Sequence, residues 1–214
     1  MAKVVLFDFD GTLADTAPDL VLTTNELLAS YDLPPISFEA GRKVASEGTR
    51  AFLNLGFKNK SINLDDLTKQ FLRIYQKNIL NQPMLFEGVI ELIDYLDKNN
   101  VRWGIVTNKP RIFTECILNY YNLKKRYTLL LCGDDGFRPK PAPDLLLEAC
   151  RLLKITPLEV MYVGDGQRDI ESAKSAKILS VLACYGYLKI SDRIDEWNAD
   201  YLINSPLELI DLID

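Results

Sequence analysis

Short, largely apolar runs without strict alternation divide this sequence, and they constrain its fold more than any other feature. They span residues 4–7, 104–106, 129–132, 160–163 and 179–183. Because the runs do not alternate between apolar and polar residues, they predict strands that are covered on both faces, as in a parallel sheet. The segments between most of them place apolar residues at helical spacing, so strands and helices alternate. The sequence therefore predicts an α/β fold, with a Rossmann-like parallel sheet flanked by helices.

One long segment interrupts this alternation. From about residue 18 to residue 80, helical patterns follow one another without a strand; Leu20, Leu27 and Leu28, for example, share one face. An insert of this kind after the first strand predicts an all-helical cap domain at 16–83. The catalytic core would then be discontinuous, at 1–15 and 84–214. Near the end of the chain, residues 198–203 suit a strand at the edge of the sheet.

The chain contains no histidine, which excludes several enzyme classes. A Ser-His-Asp triad, a Cys-His dyad and a phosphohistidine intermediate all require an imidazole. The four cysteines are scattered without a C-x-x-C pair, which favours ordinary thiols over a zinc or redox site. Twenty-five basic and thirty acidic residues give a net charge of −5, which argues against nucleic acid as a partner.

No apolar run approaches the ~20 residues of a membrane span, and the opening residues lack the pattern of a signal peptide. The scattered cysteines suit a reducing compartment. We therefore expect a cytoplasmic protein without a membrane partner, and no pattern indicates an oligomeric state.

Two carboxylates, Asp8 and Asp10, follow the first predicted strand, and Gly11 comes directly after them. Ligands of a parallel sheet sit at the carboxyl ends of its strands, so both side chains would project into one crevice. Gly11 allows a sharp turn that exposes backbone amides. This concentration of charge favours a hard cation such as Mg²⁺, although D-x-D-G alone is also typical of an ordinary turn.

Polar residues also follow the other predicted strands. Asp165 comes directly after the fourth strand, and Asp169 suits either the same acidic site or the cap of the next helix. Thr107 and Asn108 follow the second strand, in a position typical of an anion site and of an ordinary helix start. Lys140 lies between two prolines, which restrict where its ammonium group can point; a stiff surface loop is the alternative.

In the order D-x-D-G-T, T-N, K-P and G-D-x-x-x-D, these motifs resemble those of the haloacid dehalogenase-like superfamily of phosphohydrolases. The resemblance covers most of the chain, and the helical insert is similar to the cap that follows the first motif in one subclass. The acid at Asp10 is typical of phosphatases and phosphomutases of this superfamily rather than of its dehalogenases.

The resemblance implies a role for each motif residue. Asp8 would attack phosphorus and form an aspartyl-phosphate, and Asp10 would act as general acid and then as general base. The ligands implied for Mg²⁺ are Asp8, Asp10 through its backbone carbonyl, Asp165 and Asp169. The phosphate-binding residues implied are Thr107, Asn108, Lys140 and Gly11.

The resemblance also implies a small phosphorylated metabolite as substrate. The whole chain is similar to the phosphoglycolate phosphatase group, and several segments are similar to the N-acetylmuramic acid 6-phosphate phosphatases of cell-wall recycling. In the cap, Gly48 and Arg50 are candidate specificity residues, because the loop offers amides and Arg50 is able to pair with a substrate carboxylate. A solvated surface arginine is the alternative interpretation.

Two other functions stay open at the level of sequence. A phosphomutase would share the same motifs. A signalling receiver module also combines an acidic pocket with Mg²⁺, a threonine and a lysine. Such a module needs only about 120 residues, however, and leaves the helical insert without a purpose. It also carries its paired acids and its phosphorylated aspartate on different strands.

Overall fold

The computed structural model describes residues 3–58 and 63–213. Within these ranges, six parallel strands form one sheet in the order β3-β2-β1-β4-β5-β6. The strands are β1 (Val4–Phe7), β2 (Arg102–Val106), β3 (Leu129–Leu131), β4 (Val160–Gly164), β5 (Leu179–Ala183) and β6 (Tyr201–Ile203). The predicted α/β fold with a parallel sheet is confirmed, and β6 lies at the edge of the sheet, as expected for residues 198–203.

Strand β1 lies in the middle of the sheet and fixes the position of its neighbours. Phe7 at its carboxyl end pairs with Ile105 of β2 and with Val163 of β4. All four residues of β1 are buried, as its continuous apolar sequence predicts. The loops that follow β1, β2 and β4 therefore meet at one edge of the sheet, where ligands of parallel sheets bind.

Helices cover both faces of the sheet and fill the segment after β1. The described residues contain α1 (Ala17–Ala29), α2 (Phe38–Arg42), α3 (Thr49–Gly56), α4 (Leu64–Asn78), α5 (Val89–Lys98), α6 (Arg111–Tyr120), α7 (Asp144–Leu153), α8 (Gln167–Ser175), α9 (Ile194–Trp197) and α10 (Ile210–Ile213). Helices α1 to α4 lie in the segment between β1 and β2 that the sequence assigns to a cap. No helix in the described part of the chain combines the length and apolar character that a membrane crossing requires.

Two hydrophobic clusters hold these layers together. The larger cluster joins the sheet to the helices after β1, and it contains Phe7 and Trp103 as well as Phe52 of α3 and Phe71 of α4. The smaller cluster lies on the other side of the sheet and includes Leu145 of α7. Burial of apolar surface of this kind is the main favourable contribution to folding. The same packing places α1 to α4 against the carboxyl edge of the sheet.

Candidate active site

Three buried carboxylates meet at the carboxyl edge of the sheet. Asp8 follows β1, Asp165 follows β4 and Asp169 lies in the first turn of α8; each offers an oxygen within 4.8 Å of the others. The pairing of β1 with β4 brings the first two together, and the Asp8 backbone amide donates to the Val163 carbonyl at 2.8 Å. The strand order thus creates an acidic group from residues that are far apart in sequence.

Glycines make room for this acidic group. Gly11 adopts a φ of +82°, and a Cβ atom there would lie 2.1 Å from Asp165 Oδ2. A Cβ atom at Gly186 would lie 2.4 Å from the Cβ of Asp165. The backbone after β1 and the backbone after β5 therefore pack directly on the Asp165 carboxylate, which only residues without a side chain permit.

Asp165 is fully buried, and its two oxygens have different surroundings. Oδ2 accepts hydrogen bonds from Ser46 Oγ at 2.6 Å and from the Tyr187 amide at 2.9 Å. Oδ1 has no hydrogen-bond partner among the described residues. Burial, followed by the charges of Asp169 and Asp8, raises the pKa of Asp165 to about 8. A buried, unpartnered oxygen among three carboxylates is the donor set that a hard divalent cation requires, so the site fits a metal ion.

Lys140 provides the positive charge of this site. Its Nζ lies 2.8 Å from Asp8 Oδ1 and 2.7 Å from the Tyr162 hydroxyl, and it also contacts Asp169. Burial lowers the pKa of Lys140, but the charges of Asp169 and Asp8 outweigh burial and raise it. The Asn108 side chain holds the lysine backbone, because its amide donates to the Lys140 carbonyl at 3.0 Å and accepts from the Lys140 amide at 2.9 Å.

Asp10 lines the same small cavity as Asp8, but its carboxylate has partners of its own. Its Oδ1 accepts from Thr16 Oγ1 at 2.7 Å and lies 3.0 Å from Lys109 Nζ. Lys109 Nζ is also 2.7 Å from the hydroxyl of Tyr75 in α4. Burial lowers the pKa of Lys109, but Asp10 and Tyr75 outweigh burial and raise the pKa above that of a free lysine.

Lys109 and Tyr75 were not predicted as site residues. The sequence contained one signal, since Lys109 directly follows Thr107 and Asn108 at the end of a strand. Tyr75 carried none, because a tyrosine on the apolar face of a helix is typical of an ordinary core residue. Its role depends on how α4 packs against the sheet, which local pattern does not determine.

A cavity of about 100 Å³ brings most of the predicted site residues together. Those that line it are Asp8, Asp10, Thr107, Asn108, Lys140 and Gly48. Thr107 is buried, and its Oγ1 accepts from the Lys109 amide at 3.2 Å. Arg50 lies outside this lining; it is exposed, and its guanidinium pairs with Asp65 at 2.9 Å.

The segment that follows β1 reaches the acidic residues directly. Besides the bond from Ser46 to Asp165, the Arg42 guanidinium donates to the Gly186 carbonyl at 3.0 Å. It also lies 4.9 Å from the centre of the Tyr187 ring, within the range of a cation–π contact. The helices therefore cover the acidic site in this conformation.

Comparisons with known proteins agree with this geometry. The family model described as haloacid dehalogenase-like hydrolase matches residues 5–183. An N-acetylmuramic acid 6-phosphate phosphatase of Pseudomonas putida is 39% identical, over 99% of this chain and 96% of that protein. A phosphoglycolate phosphatase of Xanthomonas campestris is 37% identical, over 97% of this chain and 94% of that protein.

Among solved structures, too, the fold is similar to that of a phosphatase. The crystal structure of a predicted phosphoglycolate phosphatase from Haemophilus somnus superposes with a TM-score of 0.91. It is 26% identical, and the match covers 100% of this chain and 98% of that one. Together with the family model over residues 5–183, these similarities confirm the resemblance that the motifs carry. This chain belongs to the haloacid dehalogenase-like hydrolase family.

Proposed function

We propose that the protein is a Mg²⁺-dependent phosphatase that hydrolyses a small phosphomonoester through an aspartyl-phosphate intermediate. The observation that carries the proposal is the position of Asp8, which lines the small cavity, contacts Lys140 at 2.8 Å and stands within 4.8 Å of two further carboxylates. Its carboxylate is thus held beside a buried cation in a confined space. That arrangement suits a nucleophile that attacks a dianionic phosphoryl group.

The other residues of the cavity support complementary tasks. Asp10 lies on the side of the cap, where it is positioned to give a proton to the departing oxygen and later to take one from water. Lys140 and the buried Thr107 hydroxyl would bind phosphoryl oxygens, with backbone amides of Gly11 and Asn108 as additional donors. Asn108 also fixes the Lys140 backbone by its two side-chain hydrogen bonds.

The metal would be held by Asp8, Asp165 and Asp169, with the backbone carbonyl of Asp10 as a further ligand. When bound, Mg²⁺ would offset the repulsion between the Asp8 carboxylate and the phosphate oxygens. The unpartnered Oδ1 of Asp165 supports this assignment. Residues 16–83 would act as a cap that excludes water during the reaction, as the contacts of Ser46 and Arg42 with the core suggest.

The relatives offer two candidate substrates, phosphoglycolate and N-acetylmuramic acid 6-phosphate. Both are small phosphomonoesters that carry a carboxylate. Gly48 lines the small cavity and stays a candidate specificity residue. Arg50 would first have to leave Asp65 in order to reach a substrate.

The test is phosphate release by the purified protein with Mg²⁺, from a panel of phosphomonoesters. Asp8→Asn and EDTA should each abolish multiple turnover, whereas Asp195→Asn, a change at an exposed acid, should not. Acid quenching followed by intact-mass measurement should find a phosphoryl group on the wild-type chain but not on Asp8→Asn. Absence of release from every ester, with folded and metal-loaded protein, would overturn the proposal.

A further inference from the structure

A second, larger cavity adjoins the small one. It measures about 430 Å³, against about 100 Å³ for the cavity that contains Asp8. Ser46 and Arg168 line both, so the two cavities share part of their walls. The larger cavity lies between the cap segment and the core, and Asp165 also belongs to its lining.

The two volumes differ in what they accommodate. A water molecule takes up about 30 Å³ of liquid, so the small cavity corresponds to a few waters and suits a phosphoryl group. The larger cavity falls in the range of about 300–1,000 Å³ that is typical of ligand pockets. The small cavity therefore has little room beyond a phosphoryl group, and the adjoining larger cavity offers space for the leaving group of a phosphomonoester. A two-carbon leaving group would fill little of the larger cavity.

Apart from Asp165, the acids in the lining of the larger cavity have partners within the protein. Glu47 pairs with Lys189, and Glu171 accepts a hydrogen bond from the Gln167 side chain at 2.7 Å. Asp192 accepts from the Lys189 amide at 2.8 Å. Of these three acids, only Glu47 is neutralised by a cation of the described residues, whereas Glu171 and Asp192 keep their charge. Lys43, Lys189 and Arg168 of the same lining oppose this negative charge.

Arg168, which lines the same cavity, has no such partner in the described part of the chain. Its side chain is half-buried, and no ion pair or hydrogen bond engages its guanidinium among residues 3–58 and 63–213. It lies in the first turn of α8, where the helix dipole disfavours a positive charge. Local stability thus gives no reason for an arginine at this position, whereas an anion in the adjoining cavity would. The exposed Lys43 stands on the cap side of the same cavity.

The remaining wall is partly apolar. Trp197, which is half-buried, and Pro141 both line the cavity. A tryptophan offers a broad flat surface to the carbon skeleton of a ligand, and its ring nitrogen offers one donor. The cavity thus combines a cation without a partner with an aromatic wall, beside the phosphoryl site.

We propose that this cavity binds the leaving group of the substrate, and that Arg168 pairs with a carboxylate on it while Trp197 packs against its ring. The substrate class is then a phosphorylated sugar acid rather than a two-carbon phosphoester. The inference rests on the proposed phosphatase function and deepens it. Arg168, and not Arg50, is the residue that distinguishes acidic from neutral leaving groups.

The test compares two sugar phosphates that differ by one group. N-acetylmuramic acid 6-phosphate carries a lactyl carboxylate, and N-acetylglucosamine 6-phosphate lacks it. We expect the wild-type protein to have the higher kcat/KM for the acid. Arg168→Gln should reduce the ratio of the two kcat/KM values by roughly 10- to 100-fold, as expected for a lost charged hydrogen bond. Arg168→Lys should restore part of the ratio, because it keeps the charge without the bidentate geometry.

The matched control is Arg151→Gln, an exposed arginine of α7 that pairs with Glu148 and lies outside the cavity lining. It should leave the ratio unchanged. A second measurement uses Asp8→Asn with metal present and determines by calorimetry how tightly each ester binds. In that background, Arg168→Gln should weaken binding of the acid selectively, which a role in folding alone would not produce.

The experiment distinguishes failure of this inference from failure of the proposed phosphatase function. Phosphate release from these esters with an unchanged ratio in Arg168→Gln, or a higher kcat/KM for phosphoglycolate than for either sugar phosphate, would overturn the inference and leave the phosphatase intact. Release from no ester would overturn the phosphatase and the inference with it.

Discussion

Gly11 shows how one absent side chain creates the acidic site. Its φ of +82° places the backbone after β1 against Asp165, and a Cβ atom would come within 2.1 Å of the carboxylate. Gly136 has a nearly equal φ of +87°, but no atom lies within 4 Å of the position of its Cβ. An added Cβ atom would therefore cause both backbone strain and crowding at Gly11, but only backbone strain at Gly136.

We predict that Gly11→Ala and Gly136→Ala each lose about 1–2 kcal/mol of stability through the left-handed backbone. Only Gly11→Ala should also displace Asp165, so that metal affinity falls and phosphatase activity drops by at least about tenfold. Urea unfolding, calorimetric Mg²⁺ binding and phosphate release measure the three effects. Equal metal affinity in the two variants would contradict this interpretation.

Lys109 links Asp10 to Tyr75 of α4, and we predict that it positions this acid. Lys109→Met should lower kcat by about tenfold or more while KM changes little, because Asp10 loses the cation that orients it. It should also cost about 3 kcal/mol of stability, since a buried ion pair loses one partner. Steady-state kinetics and urea unfolding measure these effects.

Tyr75→Phe is the matched variant for Lys109. It keeps the ring that packs on Phe71 and Phe113 and removes only the hydroxyl bonded to Lys109. Its cost should be near 1 kcal/mol, with a smaller effect on kcat than Lys109→Met has. If kcat of folded Lys109→Met equalled that of the wild type, Lys109 would be structural only.

Some of these residues could be predicted from the sequence and others could not, because strand ends gather at a known edge whereas the packing of a helix is not fixed by local sequence. Asp8 and Asp165 directly follow apolar strands, and a parallel sheet necessarily gathers such positions at one edge. Arg168 and Tyr75 stand on helices, and their neighbours depend on how those helices pack. The spacing of residues along a helix indicates its buried face but does not identify the group it faces.

Among the secondary structure elements, the turn before β4 offers a test of pH dependence. Glu159 ends this turn, where its carboxylate contacts Lys3 Nζ at 2.6 Å and accepts from the Thr156 amide and hydroxyl at 2.9 Å each. The Lys3 ammonium first, and then Thr156, lower the pKa of Glu159 to about 2. The contacts tie the start of β1 to the start of β4.

A carboxyl whose pKa is lower in the folded chain stabilises the protein above its unfolded pKa of about 4.3, and this contribution disappears as the pH falls through the folded value. We therefore predict that Glu159→Gln lowers Tm at pH 6 by a small amount. The difference from the wild type should shrink between about pH 4 and pH 2. Thermal unfolding followed by circular dichroism measures it; a difference that stays constant down to pH 2 would contradict the assignment.

At the scale of elements, strands were easier to predict than the packing of the insert. Strands β1 and β5 coincide with their apolar runs, because both faces of each strand are buried. In β6, by contrast, Tyr201 and Leu202 are exposed, and only its position as an edge was expected. The helices of the insert follow from periodicity, but their contacts with Gly186 and Asp165 do not.

For the whole molecule, the larger hydrophobic cluster is continuous from the sheet into the insert. Phe52 is fully buried, and its ring lies 6.4 Å from that of Phe71, while Trp103 of strand β2 belongs to the same cluster. A shared core couples the folding of both parts. The insert and the sheet should therefore unfold in one transition.

We predict that Phe52→Ala costs about 3–5 kcal/mol and lowers the midpoint seen by tryptophan fluorescence as much as the midpoint seen by circular dichroism. The reason is that the cavity left in the insert removes contacts from a core to which Trp103 also contributes. Leu158→Ala, at a side chain that is 87% exposed, is the control and should leave both midpoints in place. Two separate transitions, with fluorescence unaffected by Phe52→Ala, would show that the insert folds independently of the sheet.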